Sequence, residues 1–145
     1  MAFVDRFEIN KAIRAGLNAS AALKTLIGTP VRVFTSVPRE AAFPYAIMRH
    51  AEARMITGTR PTAGGPPNWV RAHAVGFLVV DDDTSIDDVS AAQKLIANLM
   101  DAAPGFSVTG GTITHSIPQE EAIGFDEEKG LSWASLSYLL FVEAA

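Results

Sequence analysis

Three histidines are the first residues of this sequence whose type could support chemistry. His50, His73 and His115 each fall on a predicted strand of one sheet. A catalytic zinc ion needs three converging protein ligands and one open position, and the sequence has no His-Glu-x-x-His motif or equivalent spacing. We therefore expect surface or cross-strand histidines and no metal site.

An acidic run in the middle of the chain is the next candidate. Asp81, Asp82 and Asp83 are followed closely by Asp87 and Asp88. They lack the alternating oxygen ligands, the central glycine and the distal glutamate of a calcium loop. They precede a predicted helix, and acids at a helix N-terminus stabilise it by about 0.3–1 kcal/mol each. We predict this structural role and no bound cation.

A second acidic group lies in residues 118–130, which are predicted to be a polar connection. Its members are Glu120, Glu121, Asp126, Glu127 and Glu128. Exposed carboxyl groups keep ordinary pKa values and are poor general acids at neutral pH. The paired glycines at 64–65 and 110–111 have no phosphate-binding motif around them, and no serine lies in a Gly-x-Ser-x-Gly elbow. With no cysteine in the chain, the sequence predicts no catalytic residue, no cofactor and no enzyme.

The composition is that of one ordinary globular domain. The chain has 145 residues, of which 48% are hydrophobic and 19% charged, enough to bury a single core. The first apolar run, residues 2–4, is too short for a signal peptide. The late run from Tyr138 to Val142 is far short of the ~20 residues that span a bilayer. We expect a soluble intracellular protein that does not contact a membrane.

Charge is divided unevenly along the chain. Residues 1–71 hold ten of the twelve Lys and Arg but four of the sixteen acids, and residues 72–145 hold two and twelve. One interpretation is that the fold mixes both halves into one solvated surface. The other is a molecule with a basic and an acidic face, suited to head-to-tail association with its own copies. The net charge of −4 argues against sequence-specific nucleic-acid binding. It is compatible with passive contact between the protein and DNA inside a pore.

Local signals in the first half predict two helices and two strands. Asp5 and Ser20 are candidate helix caps, and Gly28 with Pro30 ends the second helix. An alternating strand, Val31–Val37, is expected to break at Pro38. The next strand starts at Phe43-Pro44-Tyr45 and runs to about residue 54, because proline cannot sit inside a central ladder.

Residues 55–68 contain three prolines and three glycines without apolar periodicity. We predict a long excursion between strands. It is either a surface loop or a protruding arm that orders on a partner. Arg54, Arg60 and Trp69 would anchor such an arm, because Trp and Arg dominate interface energetics. Trp69 is equally compatible with a core position.

The second half predicts strands around one helix. A long strand, residues 69–80, leads into a helix that Ser85 would cap with Asp88 as its reciprocal acid. A strand from Phe106 to about Ile117, the acidic connection and a final strand, Leu131–Val142, complete the chain. The element order α(α)-β-β-β-α-β-β predicts a single α+β domain, with a mostly antiparallel sheet of about five strands and helices on one face.

Taken in order, these elements resemble the small tail-completion, or tail terminator, proteins of long-tailed bacteriophages and prophage-like particles. The resemblance covers most of the chain. It is carried by AIRAGLNASAALKTLIGTPVRVF, by VP followed by FPYAIM, by VGFLVVDDDTSIDDVSAAQKLIANLMDA, and by FDEEKGLSWASLSYLLFVE. The FPY restart and the closing strand ending in Val-Glu carry most weight. The arm at 55–68 is longer than the family pattern predicts, and this departure leaves neighbouring head-to-tail connector families of similar size as an alternative.

The resemblance implies a structural virion protein without enzymatic activity. Such proteins form a six-membered ring that caps the finished tail tube and offers a surface to the head connector, with room for DNA to pass. The implied partners are further copies of the chain, the major tail tube protein and a head-tail connector or stopper. The expected interface residues are Arg54, Arg60, Trp69, Arg71, Asp81, Asp82 and Asp83.

Two other functions stay open at this point. One is a different head-tail joining protein that shares the ring but binds the portal side. The other is a small α+β enzyme or ligand-binding domain with a pocket around His73, His115 and Trp133.

Overall fold

The computed structural model describes residues 4–50, 54–59, 68–83 and 85–145. Its helices are α1 (Arg6–Asn18), α2 (Ala21–Ile27) and α3 (Asp87–Asp101), and a 3-10 turn follows at Ala103–Gly105. Its strands are β1 (Val33–Phe34), β2 (Tyr45–His50), β3 (Arg54–Thr59), β4 (Asn68–Asp81), β5 (Gly111–Asp126) and β6 (Leu131–Ala144). No helix among these described residues is long and apolar enough to cross a membrane.

The strands form one mixed sheet in the order β1-β2-β4-β6-β5. Only β1 and β2 are parallel, and every other pairing is antiparallel. β2 pairs with residues 75–80 of β4 and β3 pairs with residues 68–72 of the same strand. Because β6 occupies the other side of β4, β2 and β3 lie along one side of it. The α+β class with a mostly antiparallel sheet is confirmed.

The core lies between one face of the sheet and the helices. Alternate residues of β6, from Ala134 to Val142, are buried on that face. The register places Val75, Phe77 and Val79 of β4 beside them. The buried stripes of the helices complete the cluster: Ile9, Ile13 and Leu17 of α1, Leu23 and Ile27 of α2, and Val89, Ala92, Ile96 and Met100 of α3. The sheet face on which Gly76 and Ser137 lie is opposite to this packing.

The helix caps follow local chemistry. The Asp5 carboxylate accepts a hydrogen bond from the Phe7 amide at 2.8 Å, and the Ser20 hydroxyl accepts one from the Leu23 amide at 3.2 Å. Both predicted caps are therefore confirmed. The cap predicted at Ser85 is wrong by one residue, because Ile86 is the N-cap of α3. The Ser85 hydroxyl instead accepts from the Asp87 amide at 3.2 Å.

Strand β1 is much shorter than the predicted strand, Val31–Val37. Val31 and Val33 are buried, whereas Thr35 and Val37 are exposed. The backbone just before β1 and at its first residue is bound to helix α1. The Val31 amide donates to the Asn18 side chain at 2.9 Å, and the Arg14 guanidinium donates to the Val33 carbonyl. These contacts divert the chain from a longer ladder, and the predicted restart at Tyr45 is confirmed.

The predicted excursion at 55–68 is wrong for residues 55–59. These residues belong to β3, which is antiparallel to β4 with an irregularity between Met55 and Thr57. The β-branched residues Ile56 and Thr57 favour a strand, and the partner strand supplies the ladder. Residues 60–67, including Arg60, lie outside the described residues.

The predicted acidic connection at 118–130 is also wrong in its boundaries. Strand β5 continues through Pro118 and ends at Asp126, so Glu120 and Glu121 lie on a strand. Proline is tolerated there because β5 is at the edge of the sheet, and a register shift follows it between Pro118 and Glu120. Only residues 127–130 form the turn, where Gly130 has a φ of 66°.

Candidate functional site

A polar cluster joins α1 to the neighbouring strands β2 and β4. The His50 Nδ1 lies 2.6 Å from the Asn10 side-chain oxygen, and the His50 Nε2 lies 2.8 Å from the His73 Nδ1. With the amide oxygen as acceptor, His50 donates from Nδ1 and accepts from the protonated Nδ1 of His73. The His73 Nε2 is then left as an acceptor, and it is buried without a hydrogen-bond partner among the described residues.

Burial controls the charge of this histidine pair. It lowers the pKa of His50 to about 4, with the charges of His73 and Arg6 acting in the same direction. Burial likewise lowers the pKa of His73 to about 4, helped by the charges of Arg71 and Arg6. Only 1% of the His73 surface is exposed. Both rings are therefore neutral at pH 7 and serve as a hydrogen-bonded connection between α1, β2 and β4.

The third histidine lies elsewhere. His115 is on the exposed edge strand β5, where its ring meets the edge of Phe141 at a centroid distance of 5.8 Å. His73 faces the helices beside Leu140, whereas His115 and Trp133 belong to the opposite face of the sheet by register. The structure does not bring these three residues together, so the pocket expected for the ligand-binding alternative is wrong.

The acidic corner after β4 has one buried and several exposed carboxylates. Oxygens of Asp81, Asp83 and Asp88 lie within 4.8 Å of one another. Asp81 is only 4% exposed, and burial raises its pKa, with the charges of Asp82 and Asp88 adding to the rise. Asp82 and Asp83 are exposed. These two therefore offer most of the surface expected for a partner at this corner.

Of the remaining predicted interface residues, Arg54, Trp69 and Arg71 lie on β3 and β4, whereas Arg60 lies outside the described residues. Arg54 pairs across the ladder with Ala72, and Trp69 pairs with Gly58. Arg71 is half-buried, faces the helix side between β3 and β6, and places a positive charge near His73. The structure thus brings Arg54, Trp69 and Arg71 into one stretch of paired strands.

The two edges of the sheet carry opposite charge, which sequence reasoning did not locate. Edge strand β5 and its turn carry five acids and one Lys, and Glu120 and Glu121 are exposed. At the other edge, a cleft of about 600 Å³ adjoins the end of β2. Its lining is given by Arg6, Asn10, Thr35, Met48, Arg49 and His50. The sequence already showed that basic and acidic residues are divided along the chain. Only the strand order shows that these two groups come to lie at opposite edges of the sheet.

A shallow pocket of about 220 Å³ opens on the sheet face away from the helices. Its floor includes the small residues Gly76, Ser135 and Ser137, and Arg49 of β2 and Glu120 of β5 line it. Small side chains in adjacent strands create this depression, and the charged residues give it a basic and an acidic end.

The comparisons with known proteins identify a structural component of phage tails. Residues 11–142 match the family model described as tail completion protein gp17. The chain therefore belongs to the tail completion protein gp17 family, which confirms the resemblance found in the sequence. No curated protein matches the chain at a significant level.

A solved structure shows the same fold. A chain from the virion of a native gene transfer agent (GTA) particle is similar with a TM-score of 0.72 and 18% sequence identity. The similarity covers 92% of this chain and 93% of that one. At this identity the likeness establishes the architecture, including the sheet on which both charged edges depend.

Proposed function

We propose that this protein is a tail terminator. Copies of the chain form a closed ring, with six members as in the resemblance, at the head-proximal end of the tail tube. The ring stops addition of tube subunits and presents a surface to the head-tail connector. Its role is structural and not catalytic, and DNA passes through its centre.

The family match over residues 11–142 is the observation that carries this proposal. The oppositely charged sheet edges support it independently. A ring needs a heterologous contact in which two different patches of the same chain meet, and edges of opposite sign supply two such patches. The acidic corner at Asp82 and Asp83 remains free for a different partner, either the tube or the connector.

Tail length in particles that lack this protein tests the proposal. Because a terminator stops tube growth, its deletion should give tubes of uncontrolled length without heads, and expression in trans should restore one length. The measurement is the tube-length distribution by negative-stain electron microscopy, with a tube-protein deletion as the control. Tails of normal length that lack heads would instead favour the alternative, a joining protein on the portal side.

A further inference from the structure

We propose that neighbouring copies meet edge to edge through defined residues. The β5 edge of one copy, at Glu120 and Glu121, docks against the β2 edge of the next copy, at Arg6 and Arg49. This contact rests on the proposed ring and names the surface that closes it.

The acidic edge is built to meet another chain. Glu120 lies on the helix-free face of β5 and Glu121 on the helix side, so the two carboxylates flank the free edge. An edge strand presents outward N–H and C=O groups that can bind a further strand. The exposed apolar side chains Ile123 and Phe125, 40% and 38% exposed, follow directly. The β5 edge therefore offers carboxylates, outward backbone groups and apolar side chains to a neighbouring chain.

The basic edge has the matching arrangement. Strand β1 pairs with β2 only at Ala46 and Ile47, so residues 48–50 have no neighbouring strand on that side among the described residues. Arg49 lies on the helix-free face, and Arg6 reaches the cleft from the start of α1. The His50 ring in the cleft is neutral at pH 7 because its pKa is about 4.

The two acids at the start of α1 contact groups of that helix. The Asp5 carboxylate caps the amide of Phe7, and Glu8 lies 3.9 Å from the Lys11 ammonium group. No acidic side chain is among the described residues that line the cleft. The cleft is therefore a site for carboxylates, and the β5 edge of a second copy carries them.

The charged residues of the two edges lie in the same row of paired residues across the sheet. Arg49 pairs with Gly76, Gly76 with Ser137, and Ser137 with Glu120, so one row crosses the sheet from the basic to the acidic edge. The next row ends at Glu121 in the same way, on the helix side. A closed ring allows no rise between subunits. If its axis follows the strands, residues of one row meet without any shift.

The strand directions also agree with this contact. β2 is antiparallel to β4, β4 to β6, and β6 to β5. A neighbouring β2 placed beside β5 would therefore run antiparallel to it and continue the alternation of the sheet. Charge at such an edge fixes the register and the encounter rate, and the apolar residues supply burial.

Charge reversal with complementation tests the contact. One variant carries Glu120→Arg and Glu121→Arg, and the other carries Arg6→Glu and Arg49→Glu. Each alone should raise the concentration needed for half-maximal ring formation at least about tenfold, because like charges then meet. An equal mixture should restore rings of alternating subunits, since every contact again joins opposite charges. The four-substitution chain should also form rings alone.

Ring formation is measured by mass photometry and negative-stain electron microscopy, with tail tubes present so that rings closing only on a tube are detected. Glu127→Arg with Glu128→Arg makes the same charge change in the exposed turn after β5, outside the residues of the proposed contact, and should leave ring closure close to that of the wild type. Rings that persist in both reversed variants, or variants that the mixture does not restore although circular dichroism shows them folded, would overturn the contact. Wild-type protein that forms no ring on tubes at any concentration would overturn the proposed function as well.

Discussion

At the scale of single residues, the buried histidine pair should make stability depend on pH. The pKa values of His50 and His73 are about 4 in the fold, against about 6.5 for an unperturbed histidine. The unfolded chain therefore binds more protons between these values. The contribution of the pair is fully present above pH 6.5 and is lost as the pH falls towards 4.

We expect this loss to be about 2 kcal/mol of unfolding free energy between pH 6.5 and pH 4.5. Urea denaturation at several pH values measures it. Carboxylates titrate in the same range, so the comparison is with His50→Gln combined with His73→Gln, whose pH slope should be shallower than that of the wild type. His115→Gln alters an exposed ring and should leave the slope unchanged. Equal slopes in all three proteins would contradict the prediction.

At the scale of elements, α1 packs against the segment after α3 through a glycine. A Cβ placed on Gly16 would lie 2.6 Å from the Phe106 Cζ and 2.7 Å from its Cε1. Alanine gains about 1 kcal/mol of helix propensity over glycine, whereas overpacking costs about 1–3 kcal/mol. Because the ring is backed by the core cluster, we expect the clash to prevail.

Gly16→Ala should therefore lower the free energy of unfolding by about 1 kcal/mol. Adding Phe106→Leu, which removes the ring edge, should recover part of that loss even though Phe106→Leu alone destabilises. Gly105→Ala is the control, since no described atom beyond its two chain neighbours lies within 4 Å of the added Cβ. Strictly additive effects of the two substitutions, measured by chemical denaturation, would show that Gly16 and Phe106 do not contact.

The elements also show how far sequence reasoning reaches. Helix α1 was predictable because its cap at Asp5 and its apolar stripe are local signals. The ends of β1 and β5 were not, because distant partners determine them. The side chains of Arg14 and Asn18 bind the backbone of Val33 and Val31 at the start of β1, and pairing with β6 extends β5 through its acidic residues. For the acidic part of β5, local polarity alone predicted a connection.

At the scale of the whole molecule, the division of charge was visible in the sequence but its geometry was not. The sequence order separates basic from acidic residues, and the strand order β1-β2-β4-β6-β5 converts that separation into two opposite edges. The row from Arg49 to Glu120 exists only through three successive pairings between strands distant in sequence. The predicted anchors Arg54, Arg60 and Trp69 remain a separate prediction about the arm.

Hydrogen exchange distinguishes a ring that closes through the sheet edges from a ring that closes through another surface. In the monomer, the outward amides of β5 between Glu120 and Asp126 have no neighbouring strand among the described residues and should exchange quickly. In rings they should slow, as should the β2 edge at residues 48–50, because each then faces the next subunit. The amides of β6 are paired on both sides and should stay slow in both states.

The folded variant with Glu120→Arg and Glu121→Arg should show no such slowing at wild-type ring concentrations. Mass spectrometry of peptides from the two edges measures the effect. Protection confined to the helices, or to strand β3, would mean that rings close through another surface. The charge on the sheet edges would then serve solubility or the approach of tail partners. Protection at both edges together would show that one chain presents two different surfaces to its neighbours, as a closed heterologous ring requires.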